Sequence, residues 1–155
     1  MTHKIREAGP RDAAVIAMFN NRIAQETENR SLDAKIVNPG VANILSDPGK
    51  GQYWVAEDRG EVIGQIMVTY EWSDWRNGTM WWIQSVYVHP EHRRRGVFSD
   101  LYRHVESLAK ERSDVCGLRL YVEEQNQRAQ ATYLALGMNR PGYIVMQTVF
   151  GNHKQ

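Results

Sequence analysis

The run Met80–Val88 (MWWIQSVYV) constrains this chain more than any other feature. Seven of its nine residues are apolar or aromatic, with little alternation. A strand of that kind is covered on both faces and sits at the centre of its sheet. His89-Pro90-Glu91 ends it, because Pro90 lacks an N–H and turns the backbone. From Phe98 the period changes to that of a helix. Phe98, Leu101, Tyr102, Val105, Leu108 and Ala109 form one apolar stripe, with Asp100, Arg103, His104, Glu106 and Lys110 opposite.

Between strand and helix lies Arg93-Arg94-Arg95-Gly96-Val97. A helix start leaves backbone N–H groups without intrahelical acceptors, and the helix dipole adds partial positive charge there. Glycine lets the main chain approach a ligand closely, and arginines add charge-assisted hydrogen bonds to an anion. The turn therefore suits a phosphate or pyrophosphate. The bland reading of three arginines in a row is a solvated basic turn. Neither a P-loop nor a dinucleotide-binding glycine fingerprint occurs in the sequence.

The same stretch resembles the acetyl-CoA pyrophosphate loop of the GNAT N-acetyltransferase superfamily. That loop reads Arg or Gln, two residues, Gly, one residue, then Gly or Ala. Arg93 to Phe98 follows it except at the last place, where Phe98 stands for Gly or Ala. A second family motif lies downstream in Asn126, Ala129, Tyr133, Gly137 and Met138. The resemblance is good from Trp54 to Met138 and looser at both ends. It implies that Arg93, Arg94, Arg95, Gly96, Val97, Phe98 and Ser99 hold a pyrophosphate, mainly through backbone N–H groups. It implies that Val86 and Val88 offer main-chain groups to the pantetheine arm and that Asn126 reaches a pantetheine amide. The Phe98 ring must then point away from the phosphate.

Acetyl transfer to an amine expels a thiolate, which a positioned phenol can protonate, and the motif marks Tyr133 for that role. The bland reading of Tyr133 is a helix tyrosine packed on the sheet. An alkylammonium titrates near about 10.4 and must lose a proton before it attacks. Many members of the family carry a glutamate on the central strand where this chain has Trp82, and Gln84 cannot take a proton. Glu26 and Glu28, at the end of the first helix, are the candidate bases, Glu28 ahead. The bland reading makes both solvated. Trp72, Asp74 and Trp75 could wall the acceptor pocket together with Glu28, since aromatic faces and a carboxylate suit a cation. His89 and His92 lack further ligands, so no metal is expected.

With 155 residues and no repeat or linker, one domain spanning 1–155 is expected. Its order is strand, two helices, three strands, helix, strand, helix, strand: an α/β protein whose central mixed sheet is flanked by about four helices. The first strand covers Lys4–Ala8, a short helix Val41–Leu45, a hairpin Gln52–Glu57 with Val62–Tyr70, and the last strand Tyr143–Phe150. The formal net charge is +1, too little for a nucleic-acid or membrane surface. No window approaches the length of a membrane span, Met1-Thr2-His3-Lys4 lacks an apolar leader core so that secretion is not expected, and the single cysteine, Cys116, reads as a buried thiol in a cytoplasmic protein. The short C-terminal end leaves the acceptor site open or has it completed by a second subunit, so a homodimer is an expected partner. The function that follows is acetyl transfer from acetyl-CoA to the primary amine of a small molecule or peptide. A non-catalytic acyl-CoA-binding regulatory module is the alternative.

Overall fold

The computed structural model describes residues 3–153. They gather into two compact units, one ending at Leu120 and the other starting at Tyr121.

In the first unit, β1 (Lys4–Glu7), β2 (Gln52–Asp58), β3 (Glu61–Ser73), β4 (Gly78–Val88) and β5 (Val115–Leu120) form one sheet in that spatial order. Neighbours from β1 to β4 are antiparallel, and β4 with β5 is parallel. A parallel neighbour requires a crossover, and α3 (Val97–Glu111) supplies it. Its buried stripe is Val97, Leu101, Tyr102, Val105 and Ala109, close to the pattern read from the sequence. Gly64 on β3 makes room for this helix, because a Cβ there would lie 3.1 Å from Val97 Cγ1 and 3.4 Å from Leu101 Cδ1.

Alternation along β2 sorts the two faces of the sheet. Tyr53 and Val55 join Ile16, Ala17 and Val41 in a core cluster under α1 (Ala13–Glu28) and α2 (Ala34–Ser46). Trp54 points the other way, against Trp81 and His104. The β2–β3 turn places Arg59 at φ 52° and Gly60 at φ 80°, the paired left-handed geometry that matches hairpin twist.

Four expectations need correction. α2 runs through Pro39-Gly40 instead of starting after it, because Asp33 caps its first turn by accepting from the Lys35 N–H at 2.9 Å. β3 extends to Ser73, so Trp72 is a strand residue paired with Thr79. Cys116 is exposed, since the thiol alternates to the outside of β5. Tyr143–Phe150 forms no strand of the described sheet.

The second unit contains α4 (Gln127–Ala135). Asn126 caps it by accepting from the Ala129 N–H at 3.1 Å, and Gly137 at φ 99° follows its end.

Candidate active site at the end of the central strand

β4 changes character halfway along. Its parallel pairing with β5 ends at Ile83 opposite Leu120, so β5 leaves Gln84–Val88 unpaired on that side. On the other side, Gln65 of β3 faces Tyr87 and Met67 faces Gln84, so Ser85 and Val86 together oppose Ile66. This is a β-bulge, and Ser85 takes φ 52° within it. Left-handed backbone is costly for a serine, so neighbours must hold it. Gln65, fully buried, donates through Nε2 to the Ser85 carbonyl at 2.9 Å and to Asn20 Oδ1 at 2.8 Å. Asn20 in turn donates to the Tyr53 hydroxyl oxygen at 3.1 Å. A polar chain running from α1 through β3 thus fixes the shape of β4.

After Val88, a short turn at Pro90–His92 leads to the arginines. They do not share one role. Arg93 donates through Nε to the Val88 carbonyl at 2.9 Å and through Nη2 to Glu26 Oε1 at 2.8 Å, and its guanidinium lies 5.3 Å from the centre of the Tyr87 ring. The Tyr87 hydroxyl donates to Glu26 Oε2 at 2.6 Å. Arg93 therefore braces the loop against β4 and α1. Arg94 and Arg95 are exposed and make no ion pair among the described residues.

The loop geometry fits an anion. Arg94 has φ 64° and Gly96 φ 80°, and Gly96 stands directly before α3. A Cβ on Gly96 would meet no protein atom within 4 Å, so the space beside it is open and glycine is required there by conformation. The N–H groups of Val97, Phe98 and Ser99 open the first turn, where a helix provides no acceptors. Phe98 is half-buried with its ring tilted against Tyr102 at 6.1 Å, so the departure from the family loop is accommodated along the helix.

The candidate acceptor residues are not brought together. Glu26 stands beside Tyr87, whereas Trp72 pairs with Thr79, eight residues earlier on β4. At about 3.3 Å per residue that is roughly 26 Å. Trp72, Asp74 and Trp75 are exposed at that far hairpin, and Glu28 is exposed with a 3.6 Å pair to Arg30. The hydrogen bond from Tyr87 outweighs burial and, with a smaller one from Arg93, holds the Glu26 carboxyl below its ordinary value. A carboxylate stabilised in this way binds a proton less readily and makes a poorer base. In the second unit, burial raises the pKa of the half-buried Tyr133 hydroxyl, which keeps it protonated at neutral pH.

Gln65, Asn20, Ser85 and Tyr87 escaped the sequence reading. One clue was available: Gln65 is a lone amide within the apolar run Val62–Val68. No helix among the described residues is long and apolar enough to cross a membrane.

A bulged central strand leads into a left-handed glycine loop and a helix start, a geometry that suits an anion. The acetyltransferase (GNAT) family model matches residues 16–138, and the chain belongs to that family. A thialysine N-epsilon-acetyltransferase of Bos taurus is 35% identical over 98 residues, covering 63% of this chain. The chain spans about half the length of that curated relative, 52%. A crystal structure described as a possible acetyltransferase from Clostridium difficile 630 is 43% identical, covers 97% of this chain and 99% of its own, and superposes with a TM-score of 0.90. A ribosomal-protein-alanine N-acetyltransferase from Brucella melitensis biovar Abortus 2308 shares the fold at 20% identity and a TM-score of 0.76, covering 96% of this chain and 99% of its own.

Proposed function

We propose that the protein transfers an acetyl group from acetyl-CoA to a primary amine by direct attack in a ternary complex. The observation that carries this reading is the end of β4. Five residues unpaired by β5, Gln84–Val88, run towards a left-handed glycine and two arginines that make no ion pair among the described residues. On this reading the amides of Val97–Ser99 with Arg94 and Arg95 hold the pyrophosphate. Main-chain groups of Val86 take the pantetheine arm as an added strand. The Val88 carbonyl already accepts from Arg93, so Val88 contributes less. Asn126 spends its side-chain oxygen on its helix, which leaves its NH₂ for a pantetheine carbonyl.

Acetyl-CoA supplies the acetyl group as a thioester, and its transfer leaves a thiolate. Tyr133 holds a proton on its hydroxyl at neutral pH and gives it to that sulfur. Glu26 clamps Arg93 and is not assigned the base. Glu28, with its exposed carboxylate, is assigned to take the ammonium proton through water. The curated relative carries an N-epsilon acceptor in its name, which supports an amine here. The same reading places the protein in the cytoplasm and gives it a small-molecule or peptide partner.

The test is thiol release from acetyl-CoA over a panel of primary amines, beside calorimetry with coenzyme A. Tyr133→Phe should lower turnover by about 10²–10⁴-fold and leave coenzyme A affinity nearly intact. Tight binding with no thiol released for any amine would replace the enzyme with a binding module.

A further inference from the structure

We propose that Gln65 is a positioning residue. By holding Ser85 in its left-handed turn it decides which face of the sheet Tyr87 takes, and so where the arginine loop sits for its cofactor. This rests on the proposed function only for the identity of that cofactor, coenzyme A. The hold on Ser85 stands on the geometry of α1, β2, β3 and β4 alone.

Gln65 is fully buried in a run with Ile63, Ile66 and Val68. Both hydrogens of its amide are spent, on the Ser85 carbonyl at 2.9 Å and on Asn20 Oδ1 at 2.8 Å. Its own oxygen finds no hydrogen-bond partner among the described residues. An apolar side chain of similar size would fill the same space and orphan no acceptor of its own, so packing does not account for the amide. What the amide secures is the Ser85 carbonyl, and turning it over would set oxygen against oxygen there. The Tyr53 hydroxyl closes the network, as a partner of Asn20 at 3.1 Å and of the Ser85 side chain. Ser85 is thus gripped at its carbonyl and its hydroxyl while its backbone sits at φ 52°.

The bulge changes the face of every residue after it. Side chains alternate along a strand, so one extra residue moves all that follow to the opposite side. With Ser85 and Val86 both set against Ile66, Tyr87 comes opposite Gln65, and Val88 opposite Gly64. Without the extra residue Val86 would stand opposite Gln65, and Tyr87 opposite Gly64 on the α3 side, where Gly64 already lies close against Val97 and Leu101. Tyr87 instead lies on the α1 side, its ring centre 5.0 Å from that of Phe19 and its hydroxyl 2.6 Å from Glu26. Glu26 and the Tyr87 ring are what the Arg93 guanidinium rests on. The contacts therefore run from Gln65 to Ser85, to the face of Tyr87, to Arg93 and the loop before α3.

The test is calorimetry of the full chain with coenzyme A, beside the Ser85 H–N–Cα–H coupling by NMR, which reads φ without any ligand. Gln65→Leu keeps the volume and removes both donors. It should weaken coenzyme A binding about tenfold or more and raise the Ser85 coupling to that of an extended residue, with helical circular dichroism intact. Ser85→Gly on that background should restore most of the affinity, because glycine takes φ 52° unaided. A role in packing alone would not respond to the second change. If Gln65→Leu does not fold, Asn20→Ala, which removes the amide's anchor on α1, should give the same losses in smaller measure, and wild-type behaviour there counts against Gln65 equally. Undiminished affinity in Gln65→Leu, an unchanged Ser85 coupling, or no recovery with Ser85→Gly would overturn the proposal. A wild-type chain that binds no coenzyme A would overturn the proposed function instead, and the Ser85 coupling then decides the hold of Gln65 by itself.

Discussion

β4 and the segment Tyr143–Phe150 are made of the same kind of residue and end in opposite states. β4 has β3 along one side and β5 along the first half of the other, and holds Met80, Trp81, Ile83 and Tyr87 in the core. Tyr143–Phe150 forms no strand in the described sheet. Strand-forming composition is the same in both, so composition does not decide the outcome. A strand is stabilised by its neighbours, through main-chain hydrogen bonds and cross-strand side-chain pairs. The two edges of the sheet repeat the contrast, with β1 closed off by ion pairs and β5 left plain.

The guarded edge should give the largest effect. The Asp12 side chain is 4% exposed and accepts twice from Arg6, at 2.9 Å each. Asp12→Ala leaves the partly buried Arg6 without its main partner and should cost about 3–5 kcal/mol in urea denaturation. The pH dependence follows from the same pair. The hydrogen bond from Arg6 outweighs burial and holds the Asp12 carboxyl below its ordinary value. Its contribution is therefore complete above the ordinary carboxylate value and disappears as pH falls through the lowered one. An acid titration of stability with the same profile in wild type and Asp12→Ala would remove Asp12 from the edge seal.

Next in size is the central strand itself. Ile83, 3% exposed, should cost about 2–5 kcal/mol when cut to alanine. Ile144→Ala should stay within about 0.5 kcal/mol when both are measured at high dilution. Equal losses at the two positions would erase the contrast between the strands.

A smaller loss than that at Ile83 is expected where β4 hands over to α3. Gly96→Val forces a β-branched residue into φ 80° and should weaken coenzyme A binding by about 1–3 kcal/mol. Calorimetry showing unchanged affinity would remove the loop from the site.

Much of this was legible from residue order. The apolar run of β4, the stop at Pro90 and the helical stripe from Phe98 each report a local preference, and each element formed within a few residues of its expected bounds. Gly96 was legible as well, since a glycine in a basic turn before a helix has few other uses. Arg93 was not separable from Arg94 and Arg95, because the carbonyl of Val88 and the carboxylate of Glu26 reach it only after folding. The sequence groups Trp72 and Glu28 in one acceptor wall, and the length of the antiparallel pair β3–β4 separates that hairpin from the end of α1.

The sequence by itself determined the types of β4 and α3, the phosphate-suited turn between them and the family motifs, because those depend on residues adjacent along the chain. The tertiary structure alone decided the bulge at Ser85, the fixing of that bulge by Gln65, the bracing role of Arg93 and the exposure of Cys116. Each of these depends on which strand lies beside which. Partners distant in sequence are chosen by packing and by where the sheet runs out of neighbours.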